Sequence, residues 1–268
     1  MYINNDIVGN VKSHVLSNVI ACVFLLAVLS VSPIALSKTK VIAGITPAIQ
    51  YVEKGVEAGP AVDLLKKLFE EVQLDYQFES TNWAKAHQIF SQTPQSLMFS
   101  VARFDSREEQ FEWVLDVGPM DLRIARSKKR PDLNPTTLEE LKQYNLAVVR
   151  GAAPHNMLLQ AGFVEDKDFG AVATAVEIIK YMETGFVEFV FYESTISPLM
   201  LQLFNYPADY LVPLDIPLPV SPKLWLVATK DFPKEKIKLL QDTHQRLLAD
   251  PEYQKLRLAV LPLSHGKE

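Results

Sequence analysis

Short apolar segments of strand character alternate with amphipathic helical segments from residue 40 to residue 101, and the alternation resumes after residue 137. A chain patterned this way folds as α/β sheet layers, because each strand hands over to a helix that must cover it. Lys40 to Gly44 reads as a strand, Gly59 to Val72 as a helix with Val62, Leu65, Leu68, Phe69 and Val72 on one side, and Leu74 to Phe78 as a second strand. A helix from Trp83 to Phe90, an apolar strand from Leu97 to Val101, and a turn carrying Arg103 and Arg107 follow.

Around Pro119 to Ile124 the pattern becomes an extended stretch ending in the basic run Arg126 to Arg130. A second series then opens at Thr137-Leu138-Glu139-Glu140, which has the form of a helix-capping box. Asn145 to Val149 reads as a strand, Pro154 to Ala161 as a helix, Thr174 to Glu183 as a capped helix and Phe186 to Tyr192 as an apolar strand. Prolines 213, 217, 219 and 222 break the series before a strand at Leu224 to Ala228. Two helices close the chain, from Pro233 to Leu248 and from Glu252 to Leu258. The second block, 119–221, therefore reads as inserted between a first block, 38–118, and a C-terminal return, 222–268.

Residues 1–37 have a different character. The run Val15 to Val31 follows Lys12 and precedes Pro33 and Ala35-Leu36-Ser37, the pattern of a secretory signal peptide. The alternative is a retained membrane anchor, since the run approaches the length of a span. Cleavage near Lys38 would remove Cys22, the one cysteine, and give an exported chain suited to a bacterial periplasm. With a net charge of -5 and no basic cluster beyond Lys128-Lys129-Arg130, nucleic acid is not an expected partner. One cysteine also rules out a disulfide framework, and the five histidines lack metal spacing, so no metal or cofactor is expected. Neither a phosphate-binding glycine loop nor a nucleophile elbow occurs.

The most informative window runs from Phe99 to Val114 and carries Arg103 and Arg107 after an apolar strand. The carboxyl ends of strands in open α/β sheets are where ligands bind, and a guanidinium can hold a carboxylate with two parallel hydrogen bonds. The competing reading pairs these arginines with Asp105, Glu108 or Glu109 on a solvated turn.

Five motifs in order resemble the family 3 periplasmic solute-binding proteins across residues 38 to 260: Gly59-Pro-Ala-Val-Asp63-Leu-Leu, Trp83-Ala-Lys-Ala, Ala102-Arg103-Phe-Asp-Ser-Arg107-Glu-Glu-Gln-Phe-Glu-Trp113, Val148-Val-Arg150-Gly151 and the segment Gly185 to Glu193. The resemblance implies a type II periplasmic binding protein fold of two α/β lobes joined by two crossover segments. It places residues 38–118 and 222–268 in lobe one and 119–221 in lobe two.

For the site, the resemblance implies that Arg107 holds a ligand carboxylate, with Arg103 beside it and Arg150-Gly151 contributing from the second lobe. Glu193 would hold an ammonium, and Tyr51, Trp83 and Tyr192 would supply aromatic walls, Trp83 being equally suited to the core. Two departures stand out: Glu193 replaces the usual Asp, and Val101-Ala102 occupy the place of a small hydroxyl residue. The implied function is a monomeric, non-enzymatic receptor that delivers a small polar, carboxylate-bearing molecule to an inner-membrane ABC permease. The alternatives are a sensor of the same fold acting on a membrane signalling protein, and a cleft enzyme.

Overall fold

The computed structural model describes residues 38–46, 49–194, 196–220 and 222–260. The expected signal peptide lies outside the described residues. Among the described residues no helix is long and apolar enough to cross a membrane.

In chain order the elements are β1 (Thr39–Gly44), β2 (Tyr51–Glu53), β3 (Val56–Ala58), α1 (Pro60–Glu71), β4 (Tyr76–Thr81), α2 (Trp83–Gln92), β5 (Leu97–Ala102), β6 (Glu112–Pro119) and β7 (Leu122–Ser127). There follow β8 (Leu146–Val149), α3 (Ala153–Gln160), β9 (Gly170–Val172), α4 (Ala175–Glu183), β10 (Phe189–Glu193), α5 (Ile196–Leu203), β11 (Leu211–Leu214), β12 (Lys223–Ala228), α6 (Lys234–Leu247) and α7 (Pro251–Val260).

Two five-stranded sheets result, ordered β4-β1-β5-β12-β6 and β11-β7-β10-β8-β9. In the first, β4, β1 and β5 are parallel while β12 runs antiparallel to both β5 and β6. In the second, β10, β8 and β9 are parallel and β7 is antiparallel to β10 and β11. The first sheet thus takes a strand from the C-terminal return. The two segments that pass between the sheets run side by side, joined by the Met120 amide donating to the Pro222 carbonyl at 2.9 Å.

Each sheet is buried on both faces, and strand alternation sends neighbouring residues to opposite cores. Val41 packs with Leu65, Leu68, Phe69, Leu240 and Tyr253. Ile42, the next residue, packs with Phe90, Met98 and Phe111. The helix α1 buries Ala61, Val62, Leu64, Leu65, Leu68 and Phe69, the spacing of one helical face. In the second sheet Ile124 and Phe189 join Leu146, Leu158 and Phe163, whereas Ala125 and Val190 join Ile178, Met182 and Leu201.

Three local readings need correction. The Thr137–Glu140 motif opens only a 3-10 turn, Glu139–Gln143, because the chain returns to extended geometry at Tyr144 to enter β8. Phe186 lies outside β10 and is exposed: Gly185, at φ +75°, and Val187 close the end of α4 by donating to the Met182 and Tyr181 carbonyls. Leu211–Leu214 is a strand despite Pro213, which a strand at the sheet's edge tolerates.

Candidate functional site

The carboxyl ends of the parallel strands converge on a cavity of about 390 Å³, within the ordinary size range of small-molecule sites. Ile45 and Thr46 enter it after β1, Asn82 and Trp83 after β4, Ala102 at the end of β5 and Arg107 beyond it, Gly151 after β8, and Glu193 at the end of β10. The first turns of α2, α3 and α4 also face it, through Trp83, Ala153 and Ala175. Helix N-termini present unsatisfied backbone N–H groups and partial positive charge, which favours an anion. Thr174 caps α4 by accepting from the Glu177 amide at 3.4 Å, and the Glu177 carboxylate returns to the Thr174 amide at 2.9 Å.

Arg107 sits at the end of a short 3-10 turn, Asp105–Arg107, fixed by its amide donating to the Phe104 carbonyl at 2.8 Å. It is only 6% exposed. Its Nη1 donates to the Ala102 carbonyl at 3.1 Å and its Nη2 to the Gly151 carbonyl at 3.0 Å. Among the described residues it has no ion-pair partner. Burial pushes the guanidinium down to about 10, which still leaves it charged at neutral pH. A buried cation held by two neutral carbonyls and the face of Phe104, 5.7 Å away, is an incomplete electrostatic arrangement, and an anionic ligand would complete it.

Of the residues singled out in the sequence, Arg107, Gly151, Glu193 and Trp83 line this cavity together. Glu193 is buried, and its amide donates to Ser197 Oγ at 2.9 Å. Trp83 leads α2, whose cap is Asn82 Oδ1 accepting from the Lys85 amide at 3.0 Å. The indole lies so close over Gly44 that a Cβ there would fall 2.5 Å from Trp83 Cδ2.

The other four residues do not line it. Arg103 donates twice to Glu108, at 2.6 and 2.8 Å, and stacks between the Trp113 and Trp225 rings with its Cζ 4.8 and 4.6 Å from their centroids. The turn-pairing alternative therefore describes Arg103 and not Arg107. Arg150 turns away to Glu165 and to the Ala171 carbonyl. Tyr192 packs with the Ala125 and Val190 cluster, on the opposite face of β10 from Glu193. Phe191 is the aromatic residue of that strand's end that reaches the cavity. Tyr51 opens the β2–β3 hairpin opposite Ala58.

Ser100 was not anticipated. It lines the cavity from within β5 at φ +60°, a left-handed conformation uncommon for a non-glycine residue, and its Oγ donates to Gln50 Oε1 at 3.2 Å. The signal in the sequence was a lone hydroxyl residue inside an otherwise apolar strand.

Behind Arg107 a second recess is lined by His87, Ser106, Asn156 and Gln160. His87 Nε2 is buried without a hydrogen-bond partner, and burial, reinforced by the Arg107 charge, pushes the imidazole down to about 4. The folded state therefore resists protonation that the unfolded chain accepts. Stability should fall as pH drops from 6.5 towards 4, by roughly 3 kcal/mol in all from this group, and level off below. His244, also depressed chiefly by burial, adds a loss of the same sign. Urea unfolding of His87→Leu at pH 7 and pH 4.5 should show a flatter pH dependence than the parent. An unchanged slope would exclude His87 as its source.

No family model matches this sequence, and no curated protein does. Solved structures do match. A histidine kinase sensor domain with similarity to periplasmic binding proteins superposes with a TM-score of 0.72 at 15% identity, covering 83% of this chain and 95% of that one. The arginine-, lysine-, histidine-binding protein ArtJ from Geobacillus stearothermophilus gives 0.69 at 16% identity, covering 82% and 93%. The GluR0 ligand binding core in complex with L-glutamate gives 0.67 at 14%, covering 84% and 98%. At these identities the likeness is one of architecture, and the chain has the two-lobe periplasmic binding protein fold.

Proposed function

We propose that this chain is a non-enzymatic solute receptor of the periplasm that closes its two lobes around a small carboxylate-bearing, amino-acid-like ligand and delivers it to an inner-membrane ABC importer. The observation that carries this reading is Arg107, a buried guanidinium without an ion-pair partner among the described residues, at the edge of a cavity faced by helix N-termini. The neighbours support it, since several are amino-acid ABC transporter substrate-binding proteins. In this reading residues 1–37 are a cleaved leader, and residues 38–118 and 222–268 form the lobe that carries Arg107. Residues 119–221 form the lobe that carries Gly151 and Glu193. Arg107 takes the carboxylate and Glu193 the ammonium. Closure follows because both lobes contact the same ligand, so the closed state binds more tightly.

A screen of amino acids and small carboxylates tests the reading. A ligand at a hundredfold excess over its Kd should stabilise the protein by about 2.7 kcal/mol, a rise in melting temperature of roughly 5–10 °C. Glu193→Gln should weaken amino acids more than the corresponding carboxylates that lack the amine. Equal losses for both would remove its role as the ammonium partner.

A second reading keeps the ligand and changes the recipient: the protein reports occupancy to a membrane signalling partner. The sensor-domain neighbour favours it. Ligand uptake in a deletion strain separates the two, since a receptor for transport predicts lost uptake and a sensor predicts none.

A further inference from the structure

We infer that the ligand carries an apolar side chain, of the aliphatic or aromatic monocarboxylate class, and that charged side chains are excluded. This rests on the assignment of Arg107 and Glu193 to the carboxylate and ammonium. Those two are the charged residues among the described cavity lining, so once they are committed no described charge remains for a second ionic group on the ligand. The remaining polar side chains in the wall already have local partners. Asn82 and Thr174 cap helices, Ser197 accepts from the Glu193 amide, and Ser100 donates to Gln50, so what they still offer a ligand is neutral hydrogen bonding and no charge. The rest of the wall is hydrocarbon, with Ile45, Ile49, Val176, Phe191, Met200 and Leu224 contributed by both sheets and their helices. A guanidinium, ammonium or second carboxylate placed against such a wall gives up its hydration without meeting an opposite side-chain charge, whereas each buried methylene gains affinity.

The test is a homologous series followed by calorimetry: L-alanine, L-2-aminobutyrate, L-norvaline and L-norleucine, with L-leucine and L-phenylalanine, against L-arginine, L-lysine and L-glutamate. Affinity should rise about fourfold per added methylene along the series. The charged amino acids should bind at least a hundredfold more weakly than the best apolar one. Val176→Glu places an acid in the first turn of α4, where a helix tolerates it. It should lower affinity for the apolar ligands at least tenfold and raise affinity for arginine or lysine. A flat or falling series, tightest binding by arginine, lysine or glutamate, or a Val176→Glu variant with unchanged preference would overturn the inference while leaving the carboxylate receptor in place. If none of these amino acids binds, the receptor reading and this inference fall together.

Discussion

Replacing Arg107 by methionine should leave the ligand-free protein folded, with a melting temperature near that of the parent, and should remove most ligand-induced stabilisation. The two effects separate because the guanidinium is buried without an ion-pair partner among the described residues. Methionine fills much of the same volume and abolishes the cost of desolvating a charge, and such replacements of buried charge are often neutral or stabilising. Against this stand two lost hydrogen bonds, to the Ala102 and Gly151 carbonyls. The Gly151 carbonyl keeps a donor, Asn156 Nδ2 at 3.2 Å, so only one carbonyl is deprived of its side-chain partner. Leaving a buried acceptor unsatisfied costs about 1–3 kcal/mol, similar to the desolvation relieved.

Binding has no such compensation. Truncating one partner of a buried charge pair costs about 2–5 kcal/mol, which is roughly 30-fold to several thousandfold in affinity. Arg107→Lys should fall between, because a lysine keeps the charge and loses the planar fork. Arg107→Ala should abolish binding too, with an added packing loss in the ligand-free protein. Thermal titrations of all three would decide the matter: a methionine variant stabilised by the ligand as much as the parent would show that the carboxylate lies elsewhere.

The division of labour between Arg103 and Arg107 shows how far the sequence could be read. Both follow the same apolar strand, and spacing alone allowed either to meet a ligand or a neighbouring acid. What separates them is distant in sequence: Trp225 comes from the C-terminal return and, with Trp113, encloses the Arg103 guanidinium. The carbonyl that receives Arg107 comes from Gly151, in the second series of elements. Local pattern could locate α1 and α2 from their apolar faces at three- and four-residue spacing, and β1 and β5 as short apolar runs, each buried along nearly its whole length. It could not reveal that β12 inserts between β5 and β6, since antiparallel pairing across such a separation leaves no local mark. The misplacement of Tyr192 was avoidable. Once Glu193 is assigned to the cavity, strand alternation puts Phe191 there and sends Tyr192 to the other face. Ser100 was hidden for a different reason, because its left-handed backbone breaks the alternation that strand reasoning assumes.

The largest stability effect of a single methyl group should come from Gly59→Ala. Gly59 precedes α1 at φ +113° and ψ 162°, a region that residues with a side chain rarely enter. An added Cβ would lie 2.4 Å from the Ile49 carbonyl oxygen and 2.8 Å from its carbon. Both are backbone atoms, and that oxygen is already engaged, accepting from the Ala61 amide at 3.1 Å. The clash therefore cannot be relieved by a rotamer change. It must displace either α1, whose buried face anchors the first sheet, or the Ile49-Gln50 segment, which carries one cavity wall and the hydrogen bond to Ser100. Backbone strain of about 1–2 kcal/mol and overpacking of about 1–3 kcal/mol combine to roughly 3 kcal/mol, or about 6–12 °C in melting temperature. Gly55→Ala is the matched control. It too has a positive φ, +79°, but nothing within 4 Å of the added carbon, so it should cost about 1–2 kcal/mol. If the two variants melt within a degree of each other, the close approach at Ile49 carries no energetic weight. If Gly59→Ala melts lower and also weakens ligand binding, the same contact that seats α1 also positions the cavity wall.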